Sequence, residues 1–394
     1  MTRRRWLRYA GAAGAAAGVV GGVGLADAWS AFGARARGSR RERILSSPNF
    51  RDGRFQDPLP RQEDMWLALR RWLQGGQHRV PTEAVPVTPV ESDRFTRKPE
   101  TGLRLTWLGH SSMLVEIGGG RFLTDPMWSR RAAPSRFWGV RRFYDPPMPL
   151  AQLPPLDAVV LSHDHYDHLD EATIRQLSRT SVPFIAPLGV GAHLEHWGVP
   201  GDRIVELDWW ESTSVADTEL TCTPARHFSG RTPLDRDATL WCGWVLGGRD
   251  HRVYFSGDTA MFPGIGDIGE RLGPFDATMV EIGAYHAAWA DVHLGPEQAA
   301  LAHRVVGGGL MLPTHWGTFN LSLHGWTEPA ERLMAAARRE GVAVAIPRPG
   351  QSIEPASPPE LERWWPPLPW ETAEQAPIVS SGLAAAPADR PATL

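Results

Sequence analysis

The string His163-Asp164-His165-Tyr166-Asp167-His168 constrains this chain more than any other feature. It follows a short apolar run, Ala158-Val159-Val160-Leu161, that reads as a buried strand. Three imidazoles and two carboxylates in six residues repel or compete for water unless something binds them. Imidazole nitrogens suit zinc, and carboxylates suit harder or bridging coordination. Alternate residues on an extended loop point the same way, so His163 and His165 can share one ion. Asp167 and His168 lie past a turn and can serve a second. Single polar groups recur beyond later strands: His227 after residues 220–223, Asp258 after 253–255, and His315 after 309–312. Each stands where a shared site would form.

Strand and helix signals alternate through the body. Residues 103–107, 113–117 and 121–124 read as successive strands, with Gly118-Gly119-Gly120 as a hairpin turn. Further strands are predicted at 184–186, 240–246 and 277–281. Helices are predicted from an Asp170 cap to about residue 177, and at 190–196, 263–271, 296–305 and 328–339. This is an α/β layered body, and function in such bodies sits on loops leaving strand ends.

Composition narrows the partners. Basic residues number 41 and acidic ones 44, a net charge of −3, so no global positive field draws in nucleic acid. With 42% hydrophobic and 22% charged residues, wholesale disorder is excluded. Beyond residue 35 no apolar run reaches the roughly 18 residues of a membrane span. The 18 Trp against 13 Phe admit a lipid-facing rim as well as ordinary packing.

The chain opens with Arg3-Arg4-Arg5, a small-residue apolar run at 10–26 and an Ala26-Asp27-Ala28 site, the parts of a twin-arginine-type export signal over residues 1–36. That signal implies a periplasmic or membrane-associated protein. Residues 37–102 read as a linker with a short amphipathic helix at 65–73, residues 103–354 as the α/β body, and residues 355–394 as a Pro/Ala-rich tail in which Trp364, Trp365 and Trp370 can dock.

The motif string and its later single ligands resemble the metallo-β-lactamase superfamily. Trp107-Leu108-Gly109-His110, Asp208-Trp209-Trp210, Gly283-Ala284-Tyr285 and His315-Trp316-Gly317-Thr318-Phe319 resemble more narrowly the N-acyl-phosphatidylethanolamine-hydrolysing phospholipase D subgroup. The resemblance covers about residues 103–349. It implies an α/β fold, a four-layer αββα metallo-β-lactamase sandwich, with two Zn2+ at one edge of its sheets; iron or manganese also suit the donors. It puts His163, His165 and His227 on one ion, Asp167, His168 and His315 on the other, and Asp258 between them. Asp125 would orient the ligands from behind. The implied activity is hydrolysis of a phospholipid or other phosphodiester through a metal-bridging hydroxide, with Asp167, Asp258 and His293 in catalytic roles. His293 would donate a proton to the leaving oxygen or hold the phosphate. A homodimer is expected from the habit of the family.

Two rival readings stand beside it: a lactonase or other hydrolase of this fold, and a metal-bearing binding protein without turnover. His110 either lines the site or serves the backbone, and Tyr166 reads as packing. His193, His196, His251, His286, His303 and His324 read as surface or capping residues. Cys222 and Cys242 read as two buried thiols, with oxidation after export as the alternative. The basic loop at 130–142, interleaved with Trp128, Phe137, Trp138 and Phe143, reads either as a peripheral membrane contact or as a solvated face.

Overall fold

Side-chain alternation along Ala158–Val160 divides the body into layers. Ala158 and Val160 enter the core between two sheets, whereas Val159 faces a second core under helices. A computed structural model describes residues 27–384. One sheet has seven strands in the order Ile204–Leu207, Phe184–Pro187, Ala158–Val160, Gly120–Thr124, Ser112–Ile117, Leu103–Gly109 and Ser352–Ile353. The other has six, in the order Ser212–Val215, Thr218–Thr223, Gly243–Gly247, Arg252–Phe255, Phe275–Glu281 and Gly308–Thr314.

Phe122, Val115 and Leu105 of the first sheet share one core with Leu220, Trp244 and Phe255 of the second. Helices Glu171–Leu177 and Gly191–His196 cover the outer face of the first sheet through Ile174, Leu177 and Leu194. Helices Gly264–Leu272, Pro296–Val305 and Glu328–Glu340 cover the second through Ile268, Ala299 and Leu333. The molecule is therefore the expected four-layer αββα sandwich. Gly118 and Gly119 both take positive φ in the tight turn between the strands ending at Ile117 and beginning at Gly120.

Several boundaries differ from the sequence reading. The strand predicted at 240–246 is confined to Gly243–Gly247. Leu240 and Cys242 are spent on cross-links instead, donating to Leu188 O at 2.8 Å and Ser162 O at 3.0 Å. Edge strands Ile204–Leu207 and Ser212–Val215 escaped prediction because neither is fully buried, which blurs the apolar pattern. Cys222 and Cys242 are free, buried thiols.

The segment read as a linker is packed structure. Helix Gly38–Ser46 and the hairpin Phe50–Arg51/Arg54–Phe55 set Ile44, Phe50 and Phe55 against Leu188, Ala225 and Trp241. Its apolar residues are too few to show periodicity, yet they fall on an apolar face of the body. Among the described residues the packing reaches back to Asp27, whose carboxylate accepts from Ser135 Oγ and Arg136 N. Ala28 and Ala31 are buried. The apolar run and paired arginines of the expected export signal lie outside the described residues, as does the tail beyond residue 384. Trp364 and Trp365 dock as expected, beside Trp316. Among the described residues no helix is long and apolar enough to cross a membrane.

Candidate metal centre

The parallel strands of both sheets finish at one edge. In the first sheet Thr124 pairs with Val160 and Val160 with Ile185, so the chain leaves Gly120–Thr124 and Ala158–Val160 side by side. In the second, Phe255 pairs with Met279 and Met279 with Leu312. Cys242 N donates to Ser162 O across the two sheets at this edge, at 3.0 Å. Asp125, the loop from His163 to His168, Asp258 and His315 all emerge there.

Three neighbouring groups of donors result, each with its atoms within 4.8 Å of one another: His163, His165, His227 and Asp258; His110, Asp167, His168 and His315; and Asp258, Glu281, His293 and His315. Asp258 Oδ2 lies 3.1 Å from His315 Nε2, 3.2 Å from His168 Nε2, 3.7 Å from His227 Nε2, 3.8 Å from His163 Nε2 and 3.9 Å from His293 Nδ1. Asp167 Oδ2 lies 3.2 Å from His315 Nε2 and 3.4 Å from His168 Nε2. The structure thus brings together all seven residues expected to hold metal, and His293 with them.

Groups behind the rings dictate which nitrogens face inward. His168 Nδ1 donates to Asp125 Oδ2 at 2.8 Å. Ser162 Oγ gives its proton to the same oxygen, so it accepts from His163 Nδ1 at 2.9 Å. His227 Nδ1 donates to Val292 O at 2.9 Å. Each Nε2 is therefore the nitrogen turned into the centre, the arrangement a metal-ligating histidine needs. His163 Nε2 and His227 Nε2 come within 2.9 and 3.2 Å of His165 Nδ1. His165 Nε2, His168 Nε2 and Asp258 Oδ1 are buried without a hydrogen-bond partner. Converging imidazole nitrogens and orphaned buried atoms are costly alone and natural around a cation, so this donor set fits metal.

The electrostatics agree. Burial drives His163 and His227 well below their usual range, so both are neutral donors. Burial also opposes the charged form of His315, but Asp258 and Asp167 outweigh it and raise this imidazole to about 10. His168 is raised well above its ordinary value by the same two carboxylates against the same burial. Burial would lift Asp167 and Asp258; the neighbouring His168 overrides it and holds both well below the usual carboxylate range. Two carboxylates here balance protons that a cation would displace.

Backbone strain gathers at the same place. His110, Asp125 and His315 are non-glycine residues at φ of +53°, +35° and +61°. A Cβ on Gly283 would meet His315 O at 2.0 Å, so the motif glycine is there to let the ligand loop close.

Two site residues go beyond the sequence reading. His110, left open between two roles, stands in the second donor group, its Nε2 2.9 Å from Asp167 Oδ2. Burial and His315 push its imidazole down to about 3. Glu281 was missed because it closes an apolar strand and carries no motif. It accepts from Thr259 N at 2.6 Å and from His293 Nδ1 at 2.7 Å. Other histidines need correction. His193 and His303 are buried and His324 half-buried rather than superficial, His193 accepting from Ala34 N and His303 meeting Thr278 Oγ1. His286 does cap, accepting from Ala288 N. Asp170 occupies the helix N-cap, but its carboxylate serves Ser129 and Thr173 side chains, not the helix backbone. Tyr166 packs under Arg231, 4.1 Å from its ring centre. In the basic loop Arg142 is buried against Tyr144 and Phe319, whereas Phe137 and Trp138 are exposed.

A two-sheet sandwich with His and Asp groups on the loops at one edge defines a metal-dependent hydrolase of the metallo-β-lactamase fold. A family model for the Beta-lactamase superfamily domain matches residues 120–316, and the chain belongs to that superfamily. Among its relatives, the Mycobacterium tuberculosis protein Rv0906 is 49% identical over 330 residues, covering 81% of this chain and 87% of the relative. N-acyl-phosphatidylethanolamine-hydrolyzing phospholipase D 1 of Caenorhabditis elegans is 36% identical over 268 residues, covering 65% and 75%. An isothiocyanate hydrolase from Delia radicum gut bacteria shares the fold at 21% identity and a TM-score of 0.51, over 64% of this chain and 98% of the other.

Proposed function

We propose that this protein is a phospholipase-D-type phosphodiesterase acting on N-acyl-phosphatidylethanolamine-like phospholipids with two zinc ions. The observation that carries the reading is the position of Asp258 Oδ2, within 3.1–3.9 Å of five imidazole nitrogens from four loops. The similarity to the C. elegans phospholipase supports the substrate class. His163, His165, His227 and Asp258 would hold one ion, and Asp167, His168, His315 and Asp258 the other. The imidazole-rich donors favour zinc over iron or manganese. When bound, such a pair neutralises phosphoryl charge and makes water acidic enough to supply hydroxide near neutral pH.

The chain's own residues hold the geometry. Asp125 and Ser162 lock the loop that carries His163 and His168. His110 restrains Asp167 from outside the ligand set. Glu281 receives the Nδ1 proton of His293, which fixes the ring and leaves Nε2 to meet the substrate. There it hands a proton to the leaving alcohol oxygen or grips a phosphoryl oxygen. Water adds to phosphorus, the P–O bond to the N-acylethanolamine breaks, and phosphatidic acid remains. The twin-arginine-like start supports action in the periplasm or at its membrane.

The test is metal analysis of the purified chain, followed by mass profiling of products from N-acyl-phosphatidylethanolamine vesicles. N-acylethanolamine and phosphatidic acid in equal amounts are expected. Faster turnover of lactones or β-lactams would replace this reading with another hydrolase activity. Stoichiometric metal with no turnover of any of them would make the protein a metal-bearing binder.

A further inference from the structure

The Met65–Gln74 helix buries little of itself. Only Leu67 and Ala68 are half-buried; the other side chains described on it are exposed. Trp66, Leu69 and Leu73 fall at helical spacing on one face, with Trp72 beside them. Trp66 is 82% exposed, Trp72 64% and Leu73 70%. A contiguous apolar face of this kind on an otherwise well-packed body marks a binding surface. The helix contains Arg70 and Arg71 and no acidic residue.

Its root is fastened to the metal centre. Arg61 Nη1 donates to His227 O at 2.7 Å. Gln62 N donates to Asp291 Oδ2 at 2.9 Å, two residues from His293. Asp64 N donates to Ala288 O at 2.8 Å, on the same loop, and the Asp64 carboxylate caps the helix through Leu67 N. A body that docks through this helix thus brings the His227–His293 side of its centre to the docking surface.

We infer that the Trp66–Leu69–Trp72–Leu73 face of the helix docks on a phospholipid bilayer bearing anionic headgroups. Indole rings and leucines at this spacing suit the boundary between headgroups and acyl chains, and Arg70 and Arg71 with no acid on the helix match a negative surface. The inference deepens the phosphodiesterase reading, on which its purpose rests: the target phosphate of a phospholipid lies at that same boundary.

Co-sedimentation of the full chain with phosphatidylcholine vesicles, with and without phosphatidylglycerol, tests it without any turnover. Binding that strengthens with phosphatidylglycerol is expected. The triple variant Trp66→Ser/Trp72→Ser/Leu73→Ser should lose about tenfold or more in partitioning. Arg70→Gln/Arg71→Gln should lose about tenfold of the preference for anionic vesicles. Both variants should keep the parent's Tm and metal content, because the altered side chains face solvent. A parent that stays in the supernatant, or a triple variant that sediments undiminished, overturns the inference. So does a parent dimer that the triple variant dissociates, since a second copy would then cover the face. Hydrolysis of a dispersed short-chain phosphodiester is measured in parallel: its loss with vesicle binding intact removes the phosphodiesterase reading alone, and the reverse removes the docking surface alone.

Discussion

Arg226 and Asp291 form a buried ion pair at 2.9 Å immediately behind the metal centre, one residue from His227 and two from His293. The pair also ties the segment at Pro60 to the last turn of the described chain. Arg226 Nη2 donates to Pro60 O at 2.7 Å, and Ser380 and Ser381 give their hydroxyl protons to Asp291 at 2.9 and 2.8 Å. Removing one partner strands a charge in the interior, which typically costs about 3–5 kcal/mol. Arg226→Met is therefore expected to unfold at markedly lower denaturant than the parent. Truncation after Val379 should cost less, but should lower metal content measured by mass spectrometry. Unchanged stability in Arg226→Met would mean the pair is not a clamp.

Asp125 belongs to none of the three donor groups; it orients His163 through Ser162 and His168 directly. Asp125→Asn should weaken metal binding by about 10–100-fold, read by competition with a chelator. Asp258→Asn and His165→Ala should lose both metal and turnover, since each removes a donor that no neighbour replaces.

His293→Ala should separate chemistry from metal loading. A proton-transfer residue contributes roughly 10²–10⁴-fold to rate, so kcat should fall in that range with metal content retained. Glu281→Gln should follow in the same direction, because the ring then loses the acceptor at its Nδ1. Normal kcat in His293→Ala would assign this histidine a packing role.

Gly283→Ala is expected to destabilise the protein by about 1–3 kcal/mol, with loss of metal, because the new methyl group collides with the His315 carbonyl. Thermal unfolding with and without added zinc would show both effects. A Tm equal to the parent's would mean that the His315 loop moves freely aside.

His303 supplies a pH dependence away from the metal. Burial drives its imidazole from 6.5 down to about 4, beside Thr278 Oγ1. The unfolded chain then binds the proton more readily than the folded one. Stability should be full above about pH 6.5 and fall as pH drops towards about 4, by about 3 kcal/mol. His303→Gln should flatten that slope when denaturant midpoints are compared over the window. It should not abolish it, because burial also holds His324 at about 4.

Much of this protein is legible along the chain. The strand before His163, the alternation of strand and helix, and the polar groups placed just past strands 253–255 and 309–312 all follow from local periodicity, which neighbouring residues determine. Motif resemblance then names the donors. Local pattern does not say which inward nitrogen carries a proton; Asp125, Ser162 and the Val292 carbonyl decide that from elsewhere in the chain. Nor does it distinguish Glu281 from a strand's last exposed residue, because burial of a carboxylate depends on what packs over it. His110 belongs to the centre only because Asp167, 57 positions later, folds against it. The segment at 37–102 looks like a linker while its few apolar residues have no visible partner, and becomes body once Trp241 and Leu188 lie beneath Ile44 and Phe55. Short-range spacing determines elements and nominates chemistry. Long-range contact alone settles protonation, burial and assembly, since those are properties of an environment that distant residues create.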